Sequence, residues 1–301
     1  GVEVLLTVNA GTGTPEVAAA WVQYVTGDAT TPIGRLRARN GRAAPYRVRH
    51  WNVGNELWGH WQAGYTDPAG YAERYAAFSR AMRAADPAIV LVANAHGGHS
   101  ESPPEAWNDA LLRRNGRDVE VLDLHTYVGV PAEPGLSAAD RGFMLDAVPL
   151  TYEAWIAGLA RDVRTRGLPG VRAIVGEYNG HVATGDTAVD RAADLVASAA
   201  YLHAFMRLGD FVVGANATEY SPFDPRALAF GRMHPRFALF RTWAEHAGAA
   251  PLPATVETPV AQQPRRVGRD VLPVFNLPLV DAVALADSAA GTVAVSLLNR
   301  D

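Results

Sequence analysis

The sequence predicts an α/β chain of the (β/α)8 barrel type, and three observations carry that prediction. Short apolar runs alternate with longer amphipathic ones, the rhythm of a parallel sheet joined by helices. Each apolar run is short and apolar, as strands covered on both faces should be. Polar residues gather at or just past the C-terminal ends of those runs: Asn9, Asn55, Glu56, His96, His125, Glu177 and Asn216. In a barrel that face carries the chemistry.

The strands are expected at Val2–Val8, Val48–Val53, Ile89–Ala93, Val121–His125, Ala173–Gly176 and Phe211–Ala217. Between them, Thr14–Val25 opens with a cap residue followed by proline and glutamate, a helix start. Pro68–Ala85 follows Asp67, a good N-cap. Glu105–Arg114, Tyr152–Arg166, Ala188–Leu208 and Pro235–His246 complete the helices. The basic run Arg35–Arg39 reads as a solvated loop, and Gly129–Leu150 as a lid or contact loop. A dinucleotide-binding turn would need a third glycine after Gly11 and Gly13, and there is none.

The pattern changes after His246. Gly248–Pro253 reads as a linker, and Thr255–Pro259, Val271–Phe275, Leu279–Leu285 and Thr292–Asn299 as strands without helices, with Ser288–Gly291 as a hairpin turn. Two domains are therefore expected: a catalytic barrel over residues 1–248, then over 249–301 a linker and the beginning of a β-sandwich. A closed barrel needs eight strands, and six are counted before the linker. The expectation is a chain lacking its first two βα units upstream and most of the sandwich downstream.

Composition narrows the classes. The 301 residues carry a net charge of −4 with no block of one sign, which argues against a nucleic-acid surface. With no cysteine, disulfides, thiol nucleophiles and Cys-based zinc sites are excluded. No apolar stretch is long enough to span a membrane as a helix. His96-Gly97-Gly98-His99 lacks a third ligand, so no metal is expected, and no cofactor. There is no Gly-x-Ser-x-Gly elbow for serine catalysis. A homo-oligomer is left open, and the cytoplasm is favoured over secretion.

Two places carry chemistry. In Trp51-Asn52-Val53-Gly54-Asn55-Glu56 an apolar strand ends in glycine and then sets an amide beside a carboxyl. Ile174-Val175-Gly176-Glu177-Tyr178-Asn179 repeats that logic three strands later. Two carboxyls at strand ends of one barrel mouth suit glycoside hydrolysis, which needs a proton donor and a second carboxylate across the sugar. Trp58 and Trp61 follow Glu56 and are candidates to stack on a sugar, Trp58 foremost.

These residues carry a family resemblance. Asn55-Glu56 and Glu177 resemble the acid and nucleophile of clan A of the glycoside hydrolases, at barrel strands 4 and 7. The more specific likeness is to family 51, the α-L-arabinofuranosidases. It rests on Thr7–Glu16, Trp21–Val25, Pro45–Trp51 and Gly54–Gly59, and more loosely on Tyr75 to Pro87, Leu124–Tyr127 and Glu177–Asn179. The resemblance makes the chain strands 3 to 8 of the barrel. It implies Glu56 as acid/base, Glu177 as nucleophile and Asn55 on the sugar's 2-hydroxyl. Tyr127 would bond the nucleophile and His125 support the site, with Asn179 and His181 near the sugar. Where the family often has tryptophan, four residues after the nucleophile, this chain has His181. The implied partner is an arabinose-containing oligosaccharide or polysaccharide, with a β-xylosidase, an endoglucanase or an inactive carbohydrate-binding remnant as the alternatives. The roles require Glu56 to keep a proton and Glu177 to lose one, so their pKa values are expected to be pushed apart, Glu56 upward and Glu177 downward.

Overall fold

The computed structural model describes residues 3–96, 104–130, 137–182, 188–218, 235–263 and 274–300. The chain forms two compact units, one of Gly1–His125 with Asp162–Val175, the other of Thr126–Arg161 with Gly176–Asp301.

Six strands follow one another in sheet order: β1 (Leu5–Val8), β2 (His50–Val53), β3 (Val90–Asn94), β4 (Val121–Val130), β5 (Arg172–Val182) and β6 (Val212–Ala217). Pairing from β1 through β4 is parallel, with Val8 opposite Val53 and Val53 opposite Ala93. Sequential parallel order with a helix after each strand is the wall of a (β/α) barrel.

In the first unit, the helices between strands are α1 (Pro15–Thr26), α2 (Pro32–Arg39), α3 (Pro68–Ala85) and α4 (Pro104–Asn115). The first three start alike. Thr14, Thr31 and Asp67 each accept from a backbone N–H three residues on, and proline takes the first helical position, where its missing N–H costs nothing. The core lies between Trp51, Val53 and Leu91 of the sheet and Val22, Tyr71, Tyr75, Met82 and Leu111 of the helices, all fully buried. Tyr71 stacks on Trp107, ring centroids 4.8 Å apart.

α2 corrects the expectation of a solvated loop at Arg35–Arg39. Arg35 and Arg39 are exposed, but Arg37 is wholly buried. Its guanidinium donates to the carbonyls of Tyr24 (2.9 Å), Gly27 (2.6 Å), Arg42 (3.2 Å) and Ala43 (2.7 Å). A rigid five-donor fork is the one side chain that can satisfy four loop carbonyls at once.

In the second unit, α5 (Ala138–Thr165) covers most of what the sequence suggested as a loop over Gly129–Leu150; residues 131–136 lie outside the described ones. Ser137 and Asp140 form a reciprocal cap, the Asp140 N–H on the serine hydroxyl and the Ser137 N–H on the carboxylate. Met144, Leu145 and Val148 then recur at helical spacing and are buried. Gly142 and Pro149 masked that periodicity. α6 (Ala188–Arg207) and α7 (Pro235–Glu245) follow.

The C-terminal strands are β7 (Ala250–Leu252), β8 (Val260–Gln263), β9 (Val274–Pro278), β10 (Val280–Asp287) and β11 (Thr292–Asn299). They form antiparallel sheets ordered β11-β10-β7 and β8-β9. β7 lies inside the segment expected as a linker, while the hairpin at Ser288–Gly291 turns as expected, with Gly291 at φ 66°. Asp281, Val283 and Leu285 alternate inward along β10.

Candidate active site

Glu56 is presented by a strained turn. β2 ends at Val53, Gly54 takes φ 91°, and Glu56 itself takes φ 47°, among the described residues the one non-glycine with a positive φ. A Cβ at Gly54 would lie 2.7 Å from the Leu57 side chain, so glycine is required there. A non-glycine in that region costs roughly 1–3 kcal/mol and persists where surrounding bonds over-determine it. Here the Leu57 N–H donates to Asn94 Oδ1 at 2.8 Å, and the Gly59 N–H to the Glu56 carbonyl at 2.7 Å.

Both carboxylate oxygens of Glu56 are engaged. Oε1 lies 2.8 Å from His125 Nδ1, and Oε2 accepts from the Trp61 indole at 2.9 Å. The other nitrogen of His125, Nε2, is 3.2 Å from Asp123 Oδ2, which also accepts from the Asn52 amide. His125 and Asp123 are buried to 2% and 1% exposure. Burial pushes the Glu56 carboxyl up, but the donors His125 and Trp61, the charge on His125 and a bond from Gln62 outweigh it and hold the group below its ordinary value. That reverses the upward shift expected from the sequence, because the sequence did not reveal that several donors converge on this carboxyl.

In the second unit, the Tyr127 hydroxyl donates to Glu177 Oε2. Tyr152 donates to the Tyr127 carbonyl at 3.4 Å, and the Thr218 N–H to the Tyr178 carbonyl at 3.0 Å, tying the ends of β4, β5 and β6 around Glu177.

The remaining candidates fall as follows. Asn55 is half-buried in the turn before Glu56. Trp58, expected as a sugar platform, is 3% exposed, with its N–H on the Ala95 carbonyl and its ring 4.4 Å from that of His96. The exposed indole is Trp61, at 53%. Asn179 is buried in β5. The side chain of His181 and the whole of His99 lie outside the described residues. Sequence reasoning passed over Asp123, Asn52 and the role of Trp61 as a partner of Glu56. The available signal for Asp123 was a carboxyl in an otherwise apolar strand, two positions before His125 and so on the same face.

Residues 7–135 match the model of the α-L-arabinofuranosidase 1 domain. Over that stretch the chain is similar to the α-L-arabinofuranosidases. Its resemblance is to clan A of the glycoside hydrolases and, within that clan, to family 51. The curated relatives include α-L-arabinofuranosidase C of Emericella nidulans, 34% identical over 134 residues, covering 44% of this chain and 25% of that protein. An intracellular exo-α-L-arabinofuranosidase of Bacteroides ovatus is 34% identical over 128 residues, 42% of this chain and 24% of that protein. Among solved structures, the family 51 α-L-arabinofuranosidase AbfB of Bifidobacterium longum superposes with a TM-score of 0.81 at 22% identity, over 99% of this chain and 62% of that one. The Thermotoga maritima α-L-arabinofuranosidase, solved as an arabinose complex, gives 0.74 at 22% identity, over 97% and 60%. The chain thus matches about a quarter of the curated relatives' length and about three fifths of the structural ones. With the sequential parallel sheet, this likeness establishes the fold class as that of the family 51 barrels followed by antiparallel strands.

Proposed function

We propose that the chain forms the catalytic part of a retaining α-L-arabinofuranosidase, with Glu56 as acid/base and Glu177 as nucleophile. The observation that carries this reading is the division of labour along β4. His125 serves Glu56 and Tyr127 serves Glu177. Two residues apart on one strand, their side chains leave the same face. Glu56 follows β2 and Glu177 lies within β5, two strands of the sequential sheet.

In the first step the Glu177 carboxylate attacks the anomeric carbon. The bond to the leaving oxygen breaks, and that oxygen takes a proton from Glu56. In the second step water attacks the glycosyl ester, Glu56 takes the water's proton, and Glu177 leaves as a carboxylate. Overall configuration is retained, for which the two carboxyls need to come within about 5–5.5 Å. Tyr127, donating to Glu177, holds the attacking carboxylate in place. Asn55 is assigned to the sugar's 2-hydroxyl, and arabinose-bearing oligosaccharides or polysaccharides are the substrate class.

A panel of nitrophenyl glycosides tests this. Release from the α-L-arabinofuranoside, with a retained product by NMR, is the expected outcome. Preference for a β-xyloside or a glucan would move the chain to another clan A activity. An inverted product would sink the mechanism, and no cleavage of any glycoside would leave a carbohydrate-binding remnant.

A further inference from the structure

Asp123 has no place in the two-glutamate chemistry, yet it is a buried carboxylate between Leu122 and Leu124, both fully buried. Such a group is costly to keep charged unless it collects donors. Its Oδ2 collects two, the Asn52 amide and His125 Nε2. Asn52, Asp123, His125 and Glu56 thus form one line of hydrogen bonds, from β2 through β4 to the turn after β2.

The chemistry of the line is constrained. An amide nitrogen only donates, so the Asp123 oxygen facing it accepts. That oxygen then receives the imidazole through Nε2–H, which fixes the ring's tautomer. Nδ1 is left facing Glu56 Oε1, with room for one proton between them. The two possible placements are a neutral carboxyl against a neutral ring, or a carboxylate against an imidazolium flanked by Asp123.

We propose that Asp123 is a positioning residue that keeps the acid's proton on this line, shared between His125 Nδ1 and Glu56 Oε1, until a leaving oxygen takes it. The proposal rests on the acid/base reading of Glu56. The proton passes from Nδ1 to Oε1, the O–H turns from the ring towards the glycosidic oxygen, and it departs with the alcohol. His125 remains neutral with Nε2–H on Asp123, and Glu56 remains a carboxylate, ready as base. When Glu56 removes the proton of the attacking water, that proton returns to the shared position, so none is gained or lost per turnover.

This arrangement also accounts for a general acid held below its ordinary value in the free protein: the proton is kept by the pair, which titrates as a unit. Within this unit the titratable groups near the line include, among the described residues, Tyr71 of α3, which burial keeps protonated and which feels the Asp123 charge, His96, stacked on Trp58, and His60, against Trp61. Asn52, Asn94, Trp61 and Gln62 are neutral.

The test is Asp123→Asn in the full chain. One carboxylate charge about a ring's width from the shared proton is expected to move its loss by about one pH unit. The basic limb of kcat/KM on aryl arabinofuranosides should fall by that amount. Poor leaving groups should lose more than activated ones, and Asp123→Glu should restore part of the limb. An unmoved basic limb overturns the proposal. Nitrogen-15 NMR of wild-type His125, assigned with His125→Gln, gives a readout independent of turnover and of the variant's folding. Nε2 should stay protonated while Nδ1 alone titrates, and an Nδ1–H tautomer with bare Nε2 overturns the proposal. If the wild type cleaves no glycoside, the functional reading fails by itself, and the tautomer still decides the proton line.

Discussion

Asp281 offers the sharpest stability test because three cationic or donor groups converge on it. Arg207 Nη1 lies 2.8 Å from Oδ1, and His203 Nδ1 and Arg300 Nη2 each lie 3.2 Å from Oδ2. The side chain is 9% exposed. Burial raises its pKa, but the His203 bond and the charges of Arg207, His203 and Arg300 win and push it far below the ordinary carboxylate range. Asp281→Asn keeps the shape and removes the charge. Breaking a buried ion pair costs about 3–5 kcal/mol. Arg207 keeps its bidentate partner Glu153, both contacts at 2.7 Å, so the low end, about 3 kcal/mol near pH 7, is expected. The pH dependence has a definite sign. A carboxyl whose folded pKa is depressed contributes its stability above the unfolded value of about 3.9, and the contribution is lost as pH falls through the folded one. Urea denaturation of both proteins from about pH 7 down to about pH 3 should show the gap persisting to about pH 4 and shrinking below it. A gap under about 1 kcal/mol near neutrality, or one that stays constant into acid, would refute the reasoning.

Asp146 should behave oppositely. Burial raises its pKa to about 6 despite Arg300 at 3.9 Å, so its charge is a cost that switches on as pH rises from about 4 to 6. Asp146→Asn should stabilise by about 1–3 kcal/mol near pH 7 and change nothing below about pH 4, by the same denaturation curves. Arg37→Met should destabilise by about 3 kcal/mol or more, since four carbonyls lose their donor; a loss under about 1 kcal/mol would mean they find other partners. Trp61→Phe removes one donor from Glu56, so carbon-13 NMR should find that carboxyl's pKa raised, and an unmoved or lowered value would refute the role of the indole. Glu177→Ala should abolish turnover with azide restoring a glycosyl azide, while Glu56→Ala should hurt poor leaving groups far more than activated aryl ones. Equal loss on both would argue against the acid role.

Local chemistry written along the chain was legible in advance. Thr14, Asp67 and the prolines after them started helices where they stand, because a cap and a missing N–H act within one turn. The apolar runs became β1 to β6 in sequential order, since a run covered on both faces has few alternatives to a parallel sheet. The two glutamates stood out because each follows a run that ends in glycine. What failed were features set by how folding closes loops and turns around a side chain, rather than by its own place in a helix or strand. Arg37 looked solvated until the carbonyls of residues 24, 27, 42 and 43 closed around it. The two indoles after Glu56 could not be ranked from the sequence, and packing over His96 buried Trp58 while Trp61 swung onto the carboxylate. Sequence fixes which side chains a strand presents and on which face. Whether a carboxyl there keeps or loses its proton depends on how many donors tertiary folding brings within 3 Å or so, and for Glu56 the donors came from Trp61 and from His125 on β4.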